Sequence, residues 1–137
     1  MSGPGKRQRR VATVTLVVAD YDEAIAWFTG KLGFELDADT DLGGGKRWVT
    51  VAPCGGGARL LLAEPKNEEE RSRIGNQTGG RVFLFLETDD FARDHAAMQA
   101  RGVVFKEAPR HEAYGTVAVF TDLYGNLWDL IEAKRQV

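Results

Sequence analysis

The chain has 137 residues, 43% of them hydrophobic and 28% charged, with a formal net charge of −2. That balance excludes a disordered chain, and the length suffices for one domain that buries roughly two-thirds of its unfolded surface. The longest apolar run, Val14 to Ala19 broken only by Thr15, falls far short of the roughly 20 residues of a spanning helix, and the lone Cys54 excludes a disulfide framework or a cysteine-based zinc site.

Residues 1–10 read as a basic tail. Lys6, Arg7, Arg9 and Arg10 follow Gly3-Pro4-Gly5, and without them the rest of the chain stands at −6, with 14 basic against 20 acidic residues. Such an arm can grip phosphates. This one has no interleaved aromatic residue and no basic face behind it, so a solvated terminus is expected and nucleic acid is not expected as a partner. With no apolar leader segment at the N-terminus, the expected location is the cytoplasm.

Val11 to Ala19 is a β-branched run that predicts a strand. A helix follows, because Tyr21, Ala24, Ile25, Phe28 and Leu32 fall on one apolar stripe. Asp20 is its predicted N-cap, Glu23 stands in the capping-box position, and Gly33 suits the left-handed residue after the last turn. Three strands are then expected at Phe34–Ala38, Arg47–Ala52 and Arg59–Glu64, with turns at Gly43-Gly44-Gly45 and Pro53–Gly57. Residues 66–80 are polar and read as a surface connection with one helical turn through Glu68 to Ile74.

The pattern then repeats. Arg81–Thr88 predicts a strand, Asp89 a cap, Phe91, His95 and Met98 a helix stripe, and Gly102 a stop. Strands are expected at Val104–Glu107, Thr116–Thr121 and Leu127–Glu132, with a tight turn at Tyr124-Gly125-Asn126. The intervals Asp20 to Gly33 and Asp89 to Gly102 are both 13 residues, which argues for duplication. The fold class is therefore α+β: two βαβββ modules, 11–65 and 81–137, in one domain. Neither module can bury its sheet alone, and side by side the two sheets would curve into one cup with the helices outside.

Val14 through Phe34, with Asp20, Ala24, Phe28, Leu32, Gly33 and Phe34, resembles the opening motif of the vicinal oxygen chelate superfamily. Thr121-Asp122-Leu123-Tyr124-Gly125-Asn126-Leu127-Trp128-Asp129-Leu130 is similar to its closing motif, Asp-Pro-x-Gly-Asn before a strand. The likeness runs from Val11 to Glu132. The motifs are fairly specific for the fold and unspecific for the reaction, since the superfamily includes glyoxalases, extradiol dioxygenases, fosfomycin-modifying enzymes and bleomycin-binding resistance proteins. The resemblance implies a curved mixed sheet and a homodimer, with the cup completed by a second chain.

In the metal-dependent members four inward side chains, one from the first and one from the last strand of each module, hold a divalent ion. Carried over, those positions are Thr13, Leu61, Phe83 and Asp129. Transition metals take imidazole, carboxylate or thiolate donors, and Asp129 alone supplies one. A one-residue shift brings only Leu60, Leu62, Val82 or Leu84, so no metal and no cofactor are expected. A relocated site using Glu64, Glu87, His111 or Glu112 is the alternative.

Strand parity places Asp129 toward the cup with Leu127 and Ile131, Phe83 inward and Trp128 outward. Two readings of Asp129 stay open: a general base or ligand anchor, or a structural partner of Thr13 or Thr15. His95, on the helix stripe, reads as a packing residue with a satisfied hydrogen bond. His111 lies in a predicted loop and is the candidate proton carrier. The resulting expectation is a small-molecule binding protein without the usual metal, its ligand lined by Thr13, Trp48, Leu61, Phe83, Tyr114 and Asp129. The competing reading is a lyase, isomerase or dioxygenase with a relocated metal or Asp129 acid–base chemistry. A third is a structural dimer whose cup is filled by its own side chains.

Overall fold

The computed structural model describes residues 7–134; residues 1–6, with much of the basic tail, and 135–137 lie outside the described residues. The first module consists of β1 (Thr13–Val17), α1 (Tyr21–Lys31), β2 (Glu35–Gly43), β3 (Lys46–Ala52) and β4 (Arg59–Ala63), and α2 (Glu68–Arg71) lies in the connection. The second consists of β5 (Val82–Glu87), α3 (Phe91–Ala100), β6 (Arg110–Glu112), β7 (Gly115–Thr121) and β8 (Leu127–Ala133). Sheet order is β1-β4-β3-β2 in one module and β5-β8-β7-β6 in the other, with the first and last strands of each module paired in parallel.

Both helices are started by the same two devices. Asp20 accepts a bond from the Glu23 amide at 2.8 Å, and Asp90 accepts one from the Arg93 amide at 3.1 Å, each satisfying an orphan donor of the first turn. Just beyond the last strand of the first module, Glu64 accepts from the Tyr21 amide at 2.9 Å; Glu132, near the end of β8, accepts from the Phe91 amide at 2.7 Å. A carboxylate from the strand end thus sits on each positive helix terminus. This identical use is the structural trace of the duplication.

Two expected caps are corrected. Asp90, not Asp89, caps α3; Asp89 pairs with Arg93 instead. Glu23 does not complete a capping box, because its carboxylate accepts the Tyr124 hydroxyl of the second module at 3.0 Å. Burial first, and that hydrogen bond second, push the Tyr124 phenol up to about 12.

The strand expected at Val104–Glu107 is also corrected. This segment runs beside β7, with bonds from Lys106 N to Val119 O and from Thr121 N to Val104 O. The Val119 amide, however, goes to the Glu107 carboxylate at 3.0 Å instead of to a backbone oxygen, so no regular ladder forms. Pairing resumes past Pro109 as β6, which places His111 on a strand and not in a loop.

Among the described residues, no strand pairing joins the two sheets. They associate through one apolar core that includes Leu16, Phe28, Val51 and Leu62 of the first module with Met98, Phe120, Trp128 and Leu130 of the second. Phe28 and Trp128 face each other with ring centroids 6.0 Å apart. The helix-facing sides of both sheets therefore bury one another, and this burial is the main favourable term that holds the modules together. The concave sides are left outside that core.

Candidate ligand-binding site

Because side chains alternate along a strand, each sheet carries a concave set opposite the core set. In the first sheet Val14, Leu60, Val49 and Val51 face the core. The alternate residues Thr13, Thr15, Trp48, Thr50, Arg59 and Leu61 form the concave face, with Thr15, Leu61 and Thr50 in one register row. In the second sheet the matching row is Phe85, Asp129 and Val119.

Thr13 lies exposed beside Arg59, one register step from Leu61. Trp48 is 45% exposed and Leu61 half-buried on the same face. Tyr114 is exposed in the turn between β6 and β7. Phe83 departs from expectation. A bulge between Val82 and Leu84 shifts the strand, and Phe83 turns to the core, edge-on to Trp128 at 6.3 Å. Phe85, 64% exposed, takes the concave position beside Asp129.

Sequence parity missed the bulge, since nothing in Val82-Phe83-Leu84 signals it. It also passed over Arg59, which becomes visible only through strand register. The candidates divide between two faces: Thr13, Trp48 and Leu61 on the first sheet, Asp129 and Tyr114 on the second. A groove of about 770 Å³ is open and lined by first-module and connection residues, among them Thr15, Trp48, Leu61, Lys46 and Lys66.

Asp129 is 9% exposed, and its Oδ1 is buried without a hydrogen-bond partner. The alternative of a structural bond to Thr13 or Thr15 is thereby corrected, because those threonines belong to the other sheet. Burial pushes its carboxyl above the usual carboxylate range; Arg110 pulls it down and Glu107 raises it further. Arg110 is already engaged by Glu107 and Glu112, both at 3.0 Å. A carboxyl whose folded pKa is raised favours the native state while protonated and penalises it once ionised. Asp129→Asn is therefore expected to be more stable than the parent at pH 7, and its advantage should shrink as pH falls through the folded pKa toward 3.8. Thermal denaturation across that range checks it, and a constant difference between the two proteins would refute it.

The residues named for a relocated metal are otherwise engaged: Glu64 on α1, Glu112 on Arg110, and His111 on the Thr116 hydroxyl at 3.3 Å. Glu87 is exposed at the end of β5. Among the described residues no three His, Cys, Asp or Glu side chains converge. His95 packs between Phe91 and Phe105, at 5.2 and 4.4 Å, but its buried Nε2 has no partner, contrary to the expected satisfied bond. No helix among the described residues is long and apolar enough to cross a membrane.

The family model for the Glyoxalase/Bleomycin resistance protein/Dioxygenase superfamily matches residues 10–130. An uncharacterized protein of Shewanella frigidimarina (strain NCIMB 400) is 53% identical over 127 residues, covering 91% of this chain and 94% of that protein. The crystal structure of UcmS2 superposes with a TM-score of 0.78 at 31% identity, covering 91% of this chain and 98% of the other. That of TnmS3, an antibiotic binding protein from Streptomyces sp. CB03234, superposes with a TM-score of 0.74 at 30% identity, covering 94% and 99%.

Proposed function

Because this chain belongs to the Glyoxalase/Bleomycin resistance protein/Dioxygenase superfamily, we propose that it is a metal-independent protein that sequesters a planar, largely apolar small molecule. The observation that carries this reading is the pair of concave faces, each with an exposed aromatic side chain, Trp48 on one and Phe85 on the other. An aromatic side chain left exposed on a concave sheet face beside apolar neighbours offers a stacking surface for a planar ligand or a partner. The likeness to an antibiotic binding protein supports the same reading.

The residues that a divalent ion would use do not fit it. Thr13, Leu61 and Phe83 bring no carboxylate, imidazole or thiolate, and Phe83 is turned to the core. Asp129 is left as a polar anchor in an apolar wall, where an unpaired carboxyl is costly until a ligand donor reaches it.

Each site is completed by a second copy of the chain. Support comes from topology and charge. The concave faces of one chain lie on sheets whose other sides share a core, so a cup needs a face from elsewhere. The first groove is lined by Lys46 and Lys66 together with Glu64 and Glu70, and Asp129 on the second face has Arg110 and Glu107 near it, so each face offers charges of both signs to a partner copy.

Calorimetric titration with a panel of planar aromatic compounds tests the reading. Binding that Trp48→Ala abolishes is expected, in a dimer by sedimentation. One stoichiometric divalent ion per purified chain would overturn it. A catalytic reading draws on the raised carboxyl of Asp129, because acids in clefts with perturbed ionisation serve as general acids or bases. It predicts turnover that Asp129→Asn abolishes.

A further inference from the structure

Arg59 is the most deliberately positioned charge on the first concave face. Its Nε lies 2.8 Å from Asp37 Oδ2, and the same carboxylate oxygen accepts the Thr50 hydroxyl at 3.0 Å. Thr50 is 2% exposed, so the relay is rooted in the packed sheet. Asp37 reaches this face because a bulge interrupts pairing between Leu36 and Ala38. A guanidinium held through Nε keeps its two terminal nitrogens for another oxygen pair. The Arg59 side chain is 39% exposed, with the exposed Thr13 as its neighbour on β1. The register row of Thr15, Leu61 and Thr50 lies next to it, with Trp48 beyond on β3. The acid beside Arg59 is Asp37 itself, paired with Arg59 and already accepting the Thr50 hydroxyl.

We infer that Arg59, positioned by the Thr50–Asp37 relay, together with the Thr13 hydroxyl, recognises a carboxylate on an aromatic ligand whose ring system lies toward Trp48. This rests on the small-molecule reading above and narrows it to aromatic acids. Asp37 and Thr50 are positioning residues: they touch Arg59 or each other and not the ligand.

Calorimetric titration of the full chain with 2-naphthoate and its uncharged counterpart 2-naphthamide separates the two levels. The naphthoate is expected to bind about tenfold more tightly, the range of one hydrogen-bonded charge pair. Arg59→Met should bring the two within about twofold, Arg59→Lys should retain part of the preference, and Asp37→Asn should weaken it with the arginine still present. Circular dichroism confirms that each variant is folded. Equal binding of both probes by the parent protein, or a preference that survives Arg59→Met, overturns this inference alone. A preference lost in Lys66→Met instead would place the anion beside Lys66, away from Arg59, and also overturn it. Binding of neither probe overturns the small-molecule reading as well.

Discussion

Replacing Asp122 with alanine is expected to lower the stability of the fold by about 4 kcal/mol, or roughly 10–15 °C in Tm for a chain of this size. Asp122 is 5% exposed and accepts four hydrogen bonds. Oδ1 takes the amides of Tyr124 and Asn126, both at 3.0 Å, and Oδ2 takes Asn126 Nδ2 at 3.0 Å and Trp128 Nε1 at 3.1 Å. Without the carboxylate those donors are stranded inside the protein, and each stranded donor costs on the order of 1–3 kcal/mol before water or relaxation softens the loss. The damage also spreads. Asn126 Oδ1 holds the Gln77 amide at 3.1 Å, so the connection between the modules is tied to the same turn. Trp128 meets Phe28 across the module boundary. Asp122→Asn is expected to be nearly as damaging, because its amide NH₂ would face other donors. Urea denaturation followed by tryptophan fluorescence measures both variants, and a loss below about 1 kcal/mol in either would show that the network is replaceable.

Gly115→Ala carries the second large effect, about 3 kcal/mol. Gly115 has φ 151° and is buried at the start of β7, opposite Ala133 on β8. A Cβ there would overlap the Glu132 carbonyl oxygen, a backbone atom that cannot turn aside. Relief would require β7 and β8 to separate at the point where Glu132 also caps α3. Gly45→Ala is the internal comparison. It has φ 83° with nothing near its missing Cβ, so it should lose only about 1 kcal/mol of left-handed strain. If the two alanine variants lost stability equally, close packing at Gly115 would not be the reason for glycine there.

These two positions illustrate how far local pattern reaches. Asp122 and Asn126 stood in the closing motif, and the structure shows that their chemistry is spent on shaping a turn. Gly115, by contrast, sits in an unremarkable Tyr-Gly-Thr context, and only the approach of β8 makes it obligatory. The Phe83 bulge is of the same kind. Period-two alternation gives the facing of a regular strand correctly, but one extra residue reverses it, and the extra residue is created by pairing with a strand more than 40 positions away. Arg59 was passed over for a related reason. A single arginine in an apolar strand has no local signature, whereas the carboxylate that orients it comes from another bulge on β2.

What the sequence determined by itself was the module: acidic cap, apolar stripe, glycine stop and following strands, complete in the first copy and, in the second, with the cap one residue later and the strand expected at Val104–Glu107 replaced by β6, because each depends on residues within a turn or a strand of one another. It also determined that Thr13, Leu61 and Phe83 bring no carboxylate, imidazole or thiolate, since side-chain chemistry needs no fold. How the modules meet was decided by tertiary structure. Phe28, Phe34, Phe120 and Trp128 pack against one another in one core, so the helix-facing sides join and the concave sides turn outward. Which residues share a site follows from that packing, and no local spacing encodes it.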